Sequence, residues 1–101
     1  MRMMMHVHCP IEPFNSLVRN GTAGSKMMKI LDETKPEAAY FGEHDGKRGG
    51  ILIVDVSKPS DVPRLAEPWF LNFNAEVEFR VIMSPEDLVE ADLLALGKKW
   101  G

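Results

Sequence analysis

The sequence has 101 residues and a mass of 11.4 kDa, which bounds it to one domain, residues 1–101, large enough to bury a core. Hydrophobic residues make up 45% and charged residues 27%, so neither a disordered chain nor a membrane protein is indicated. A net charge of -3 and scattered Lys and Arg argue against nucleic acid as a partner, because phosphate binding needs a basic face.

Residues 2–9 alternate, with Met3, Met5, Val7 and Cys9 on one side and Met4, His6 and His8 on the other, which predicts a half-buried strand ended by Pro10 and Pro13. A short helical piece through Phe14, Leu17 and Val18 is expected to stop near Asn20-Gly21. A second resumes after Thr22, carries Ala23, Met27, Ile30 and Leu31 on one stripe, and ends before Pro36.

"AAYFGEHDGKRGGILIVDV" reads as a hairpin in which Asp45-Gly46 supplies the positive φ angles of a two-residue turn. That register sets Tyr40 opposite Ile51 and predicts a Glu43–Arg48 charge pair at the tip. The glycines and cations of "DGKRGG" invite a phosphate-loop reading, which fails because a strand rather than a helix follows.

Ser60 is the expected N-cap of a helix whose apolar stripe is Val62, Leu65, Ala66, Trp69, Phe70 and Phe73, with Pro68 expected to kink it or end its regular part. "AEVEFRVIM" is the clearest strand, with Val77, Phe79, Val81 and Met83 on one side and Glu76, Glu78 and Arg80 on the other. Ser84-Pro85-Glu86-Asp87 is a capping sequence that starts a C-terminal helix fading near Gly97.

Cys9 is the single cysteine, so no intramolecular disulfide forms and a cytoplasmic location is expected. With no basic partner nearby in sequence it reads as an inert buried thiol. His6 and His8 break up the N-terminal apolar run before a secretory core could form.

The order strand, helix, strand, strand, helix, strand and an added helix is the βαββαβ pattern of an α+β, ferredoxin-like fold. Both helices then cover one face of the sheet, and the first strand lies between the third and fourth. The covered face collects Met3, Met5, Val7, Leu52, Val54, Val56, Val77, Phe79 and Val81. The other collects Met4, His6, His8, Tyr40, Ile51, Ile53, Asp55, Glu76, Glu78, Arg80 and Ile82. It is too apolar to leave open and too polar for ordinary core, and a second copy around a two-fold axis would cover it.

With "KPEAAYF", "DGKRGG", "PSDVPRLAEPWF" and "NAEVEF" in this layout, most of the chain resembles a small uncharacterised bacterial family within the dimeric α+β barrel superfamily. The resemblance implies a homodimer whose sheets face each other. That superfamily spans cofactor-free monooxygenases, isomerases, haem-handling enzymes and ligand-sensing regulators, so it transfers no reaction.

The candidate site is His6, His8 and Glu78 as catalytic groups, with Arg80 and Tyr40 binding the ligand. A histidine held by a carboxylate is suited to take a proton from an acidic C–H or O–H, and Arg80 is suited to hold a carboxylate or a developing oxyanion. The alternative is a hydrogen-bonded network filling a dimer core. Two histidines and a carboxylate also match a 2-His-1-carboxylate metal set in ligand type, but the spacing is common and no dedicated signature accompanies it, so no metal or cofactor is expected. His44, at the hairpin tip, is expected to be solvated, Asp55 to begin the turn toward Ser57, and Trp69 and Phe73 to be core. Two function classes follow: an enzyme without a tightly bound cofactor acting on a small anionic organic molecule, such as an isomerase or monooxygenase, or a noncatalytic binding or assembly module.

Overall fold

Because successive side chains of a strand point to opposite faces, β1 (Arg2–His8) buries Met5 and Val7 and turns His6 and His8 the other way. The computed structural model describes residues 1–101. After β1 come α1 (Ile11–Arg19), α2 (Ala23–Thr34), β2 (Ala38–His44), β3 (Lys47–Asp55), α3 (Asp61–Phe73), β4 (Glu76–Val81), α4 (Pro85–Ala91) and α5 (Leu93–Trp100). The sheet is antiparallel, four-stranded and ordered β2-β3-β1-β4, which is the ferredoxin-like arrangement.

The core lies between one sheet face and α1, α2 and α3. Met5, Val7, Leu52 and Val54 meet Phe14, Ala23, Ile30, Leu65, Trp69 and Phe73 in one cluster. The Phe14 and Phe73 rings stack with centroids 4.7 Å apart, and Trp69 lies 5.7 Å from Phe73. Aromatic burial at this density dominates the stabilising side of a domain this size, at roughly 1.5–3 kcal/mol per large apolar side chain. Val81, expected in the core, is instead 59% exposed. It sits at the end of the edge strand, beyond Val77 and Phe79, which do pack on the cluster.

The hairpin keeps its expected register, with Asp45 and Gly46 at φ 52° and 76° and Tyr40 opposite Ile51. Glu43 and Arg48 face each other in that register but do not pair. The Glu43 carboxylate accepts from the Gly46 N–H at 2.8 Å, closing the turn, and Arg48 donates to Asn15 Oδ1 at 2.7 Å with its guanidinium 4.6 Å above the Phe14 ring. Both groups lie on the helix side of the sheet, where α1 offers Arg48 a better partner.

Ser60 does not cap α3. Its backbone is already helical and its side chain makes no capping bond; the Asp61 carboxylate, in the first turn, reaches back to accept from the Ser57 and Lys58 N–H groups at 2.9 and 3.3 Å and ties the preceding turn to the helix. The helix also runs on through Pro68. The carbonyl that proline leaves without a helical partner belongs to Arg64, an exposed residue.

The expected capping box forms at the start of α4, with Ser84 and Asp87 bonding each other's backbone N–H groups. The single C-terminal helix does not. Asp92 adopts a left-handed φ of 56°, splitting the segment into α4 and α5, and α5 continues past Gly97 to Trp100. No residue of either helix is buried; Leu94 and Trp100 are 73% and 77% exposed. The chain accordingly measures 59 × 28 × 19 Å with a radius of gyration of 17.0 Å, against about 13 Å for a compact domain of this length. No helix is long and apolar enough to cross a membrane.

Backbone donors hold the Asp61 and Asp87 carboxyls below the usual carboxylate range, Ser57 for the first and Ser84 for the second. Those donors engage the ionised form only in the folded chain, so the unfolded chain binds these protons more tightly. The stability they add is present at neutral pH and lost as the pH falls from about 4 through the lower folded values. The melting temperature of the wild type should therefore fall more steeply than that of Asp61→Asn below about pH 4.5. Parallel melting curves down to the acid limit would remove Asp61 from that role.

Candidate functional site

The sheet face turned away from the helices carries Met4, His6 and His8 from β1, Tyr40, Gly42 and His44 from β2, Gly49, Ile51 and Ile53 from β3, and Glu76, Glu78 and Arg80 from β4. Tyr40 is 70% exposed and Ile51 40%. An apolar field of this kind with polar groups converging in its middle is the feature that distinguishes this face.

The convergence is built by β1, the strand between β3 and β4. His6 lies opposite Ile51 on one side and Glu78 on the other, while His8 lies between Gly49 and Glu76. The two imidazoles are 3.9 Å apart, centroid to centroid. Gly49 leaves the lane beside His8 without a side chain, and His44 folds back from the hairpin tip into it, bringing its ring to 4.0 Å from His8 and 5.0 Å from His6. A Cβ on Gly49 would stand 3.3 Å from the His44 Cβ and 3.2 Å from the Val7 carbonyl oxygen, so the lane admits no more than glycine without displacement.

Glu78 extends diagonally rather than straight across. Its Oε1 lies 3.5 Å from His8 Nε2, and its Oε2 lies 3.3 Å from the Arg80 guanidinium. The result is a chain of groups, Arg80, Glu78, His8 and then the other two imidazoles. His8 is largely enclosed: its side chain is 15% exposed, and its Nδ1 is buried with no hydrogen-bond partner. Burial, then the neighbouring His8 and His44, lower the pKa of His6, because a second and third positive charge within about 5 Å is disfavoured. Its imidazole is neutral at pH 7.

Two shallow depressions flank the histidines. One, of about 170 Å³, is bordered by His8, His44, Lys47, Arg48, Glu76 and Glu78; the other, of about 160 Å³, by His6, Tyr40, His44 and Ile51 among others. Neither is a closed pocket in one chain. One imidazole nitrogen from each of His6, His8 and His44 falls within 4.8 Å of the others, so these residues could hold a metal ion.

Of the residues expected at the site, His6, His8, Glu78 and Arg80 are brought together, and Tyr40 stands at the rim of the His6 depression without touching the cluster. His44 is the residue that sequence reasoning misplaced: its side chain is 43% exposed, yet its ring belongs to the cluster. The signal was present, since His44 shares the face of Tyr40 and Gly42, and the glycine across the hairpin at 49 marks a cleared lane. Asp55 faces the turn, as expected, where it accepts from Ser57 Oγ at 3.2 Å and from the Met1 amine at 3.0 Å. Cys9 is buried, and burial raises its thiol pKa, which fits an inert thiol.

A four-stranded antiparallel sheet with helices on one face is an α+β, ferredoxin-like architecture, and here its other face carries the polar cluster. Among solved structures the chain is similar to 5-chloro-2-hydroxyhydroquinone dehydrochlorinase (TftG) from Burkholderia phenoliruptrix AC1100, determined in complex with 2,5-dihydroxybenzoquinone. The match has 17% sequence identity and a TM-score of 0.56, and covers 86% of this chain and 99% of that one. At that identity the likeness is one of fold. No family model matches the sequence, and no curated protein matches it.

Proposed function

We propose that the chain forms a homodimer through its open sheet face and binds a small anionic organic molecule between the two sheets, over His6, His8 and Glu78, with Arg80 and Tyr40 as ligand-binding groups. The observation that carries this reading is the composition of the open face, where exposed Tyr40 and Ile51 border a convergent cluster of imidazoles and one carboxylate. A second copy would bury the apolar field and turn two shallow depressions into an enclosed cavity. The neutral His6 imidazole offers a lone pair to an acidic O–H or C–H, the opening step of a cofactor-free isomerase or monooxygenase, and Arg80 is placed to take a carboxylate or an oxyanion. The ligand of the fold neighbour supports the ligand class, since a dihydroxybenzoquinone is small, planar and acidic at oxygen.

The noncatalytic alternative has its own support in the Glu78–Arg80 and Glu78–His8 contacts, in which the one carboxylate already pairs with both. Native mass spectrometry of EDTA-treated protein, with and without 2,5-dihydroxybenzoquinone, separates the readings. A dimer that takes up the quinone, with affinity about tenfold weaker in Arg80→Ala, is the expected result. A monomer at tens of micromolar would overturn the facing-sheet arrangement. A dimer that ignores the quinone and dissociates in the His6→Asn, His8→Asn double variant would assign the face to assembly.

A further inference from the structure

We propose that His6, His8 and His44 form a three-histidine site for a divalent transition-metal ion. Three imidazoles are a ligand set suited to zinc and its neighbours, and three protein ligands leave a fourth position open for water or a substrate oxygen. Their nitrogens lie within 4.8 Å of one another. A tetrahedral zinc with Zn–N bonds of about 2.0–2.1 Å needs nitrogens roughly 3.3–3.4 Å apart, so the site closes with side-chain movements on the order of 1 Å. His6 and His8 are fixed by the central strand, and His44, the partly exposed member, is free to make that adjustment.

Three further observations point to the same site. His8 Nδ1 is buried and lacks a hydrogen-bond partner, a cost that coordination would remove. Carboxylates stand beside two of the rings, Glu78 Oε1 at 3.5 Å from His8 Nε2 and Asp45 Oδ2 at 3.3 Å from His44 Nε2, close enough to offset the ion's charge. The Gly49 lane admits His44 beside His8, with room for the His44 Cβ that a side chain at position 49 would crowd at 3.3 Å.

This inference rests on the open-face reading only for what fills the fourth position. With an ion in place the imidazoles are ligands, and the molecule bound there is one that presents an anionic oxygen, a phenolate, enolate or carboxylate, toward the ion with Arg80 alongside. Ion binding itself stands on the three histidines of one chain.

Tag-free protein stripped with EDTA and desalted would be titrated with CoCl2, following the intense visible absorption of tetrahedral cobalt, and then back-titrated with ZnCl2. One ion per chain, with cobalt displaced by zinc, is the expected result. His44→Asn, at a hairpin tip where folding is not at stake, should lose the tetrahedral spectrum, while Glu78→Gln should keep the spectrum and weaken affinity about tenfold. Equal binding by wild type and His44→Asn, or no saturable binding below millimolar cobalt, would overturn the site. Quinone uptake by the EDTA-treated protein is a separate readout, so failure of the metal site and failure of the ligand reading are distinguishable.

Discussion

Phe73→Ala is expected to cost about 3–5 kcal/mol, the range for removing a large aromatic from a core that cannot collapse around the gap. Phe73 is fully buried, its ring stacks on Phe14, and Trp69 sits against it on the same helix. Those rings join α1 and α3 over the sheet, so the cavity would open where three elements meet. For a domain whose total stability is about 5–15 kcal/mol, such a loss lowers the melting temperature by at least about 12 °C. Calorimetry checks it, with Trp69→Phe as the companion. The companion should be milder, because it keeps an aromatic ring and removes an indole N–H that is buried without a partner. A Phe73→Ala protein that melts within a few degrees of the wild type would mean that the core relaxes into the space.

The second large effect is expected at a position with no side chain to delete. Gly49→Val should displace His44 from the histidine cluster, with β1 giving way by a few tenths of an ångström at the Val7 carbonyl. The first added carbon already meets the His44 Cβ at 3.3 Å and the Val7 carbonyl at 3.2 Å, and the two methyls extend into the lane beyond it. Cobalt affinity should fall by more than about 100-fold, the upper end for losing a residue that merely supports a ligand. Gly42→Ala is the control. Gly42 faces Gly49 across the hairpin, but a Cβ there meets nothing within 4 Å, so ion binding should be retained. Loss of binding in both variants, or in neither, would show that Gly49 is not what positions His44.

The fold was legible from the sequence because its strands alternate cleanly. Period-two patterning placed Met5 and Val7 in the core and His6 and His8 on the opposite face, and the Asp45-Gly46 turn fixed the hairpin register from which Tyr40 and Ile51 follow. What failed to follow were competitions between partners. Ser60 was the expected cap, yet its side chain makes no capping bond and the neighbouring Asp61 carboxylate bonds the turn before the helix instead. Glu43 and Arg48 were matched by register, yet Asn15 and Phe14 from a different element claim the arginine. The break at Asp92 has a local cause, since its side chain accepts from the Ala95 N–H and starts a new helix where sequence spacing suggested continuation.

The site was legible to the same degree. His6, His8, Glu78 and Arg80 follow from strand order and face. His44 did not, because a position beside a tight turn reads as solvated unless the residue across the hairpin is considered with it. Glu78 is the register partner of His6, and its carboxylate reaches His8 because the diagonal neighbour is within range of a long side chain.

The Gly49 lane also bears on how the cluster would respond to mutational search. Truncation surveys, which replace each side chain with a methyl group, subtract atoms and score what is lost. At this lane the determinant is empty volume, so the informative substitutions are insertions of bulk. A graded series from alanine to valine to leucine at position 49 would turn one strand position into a ruler for how much space the third imidazole requires.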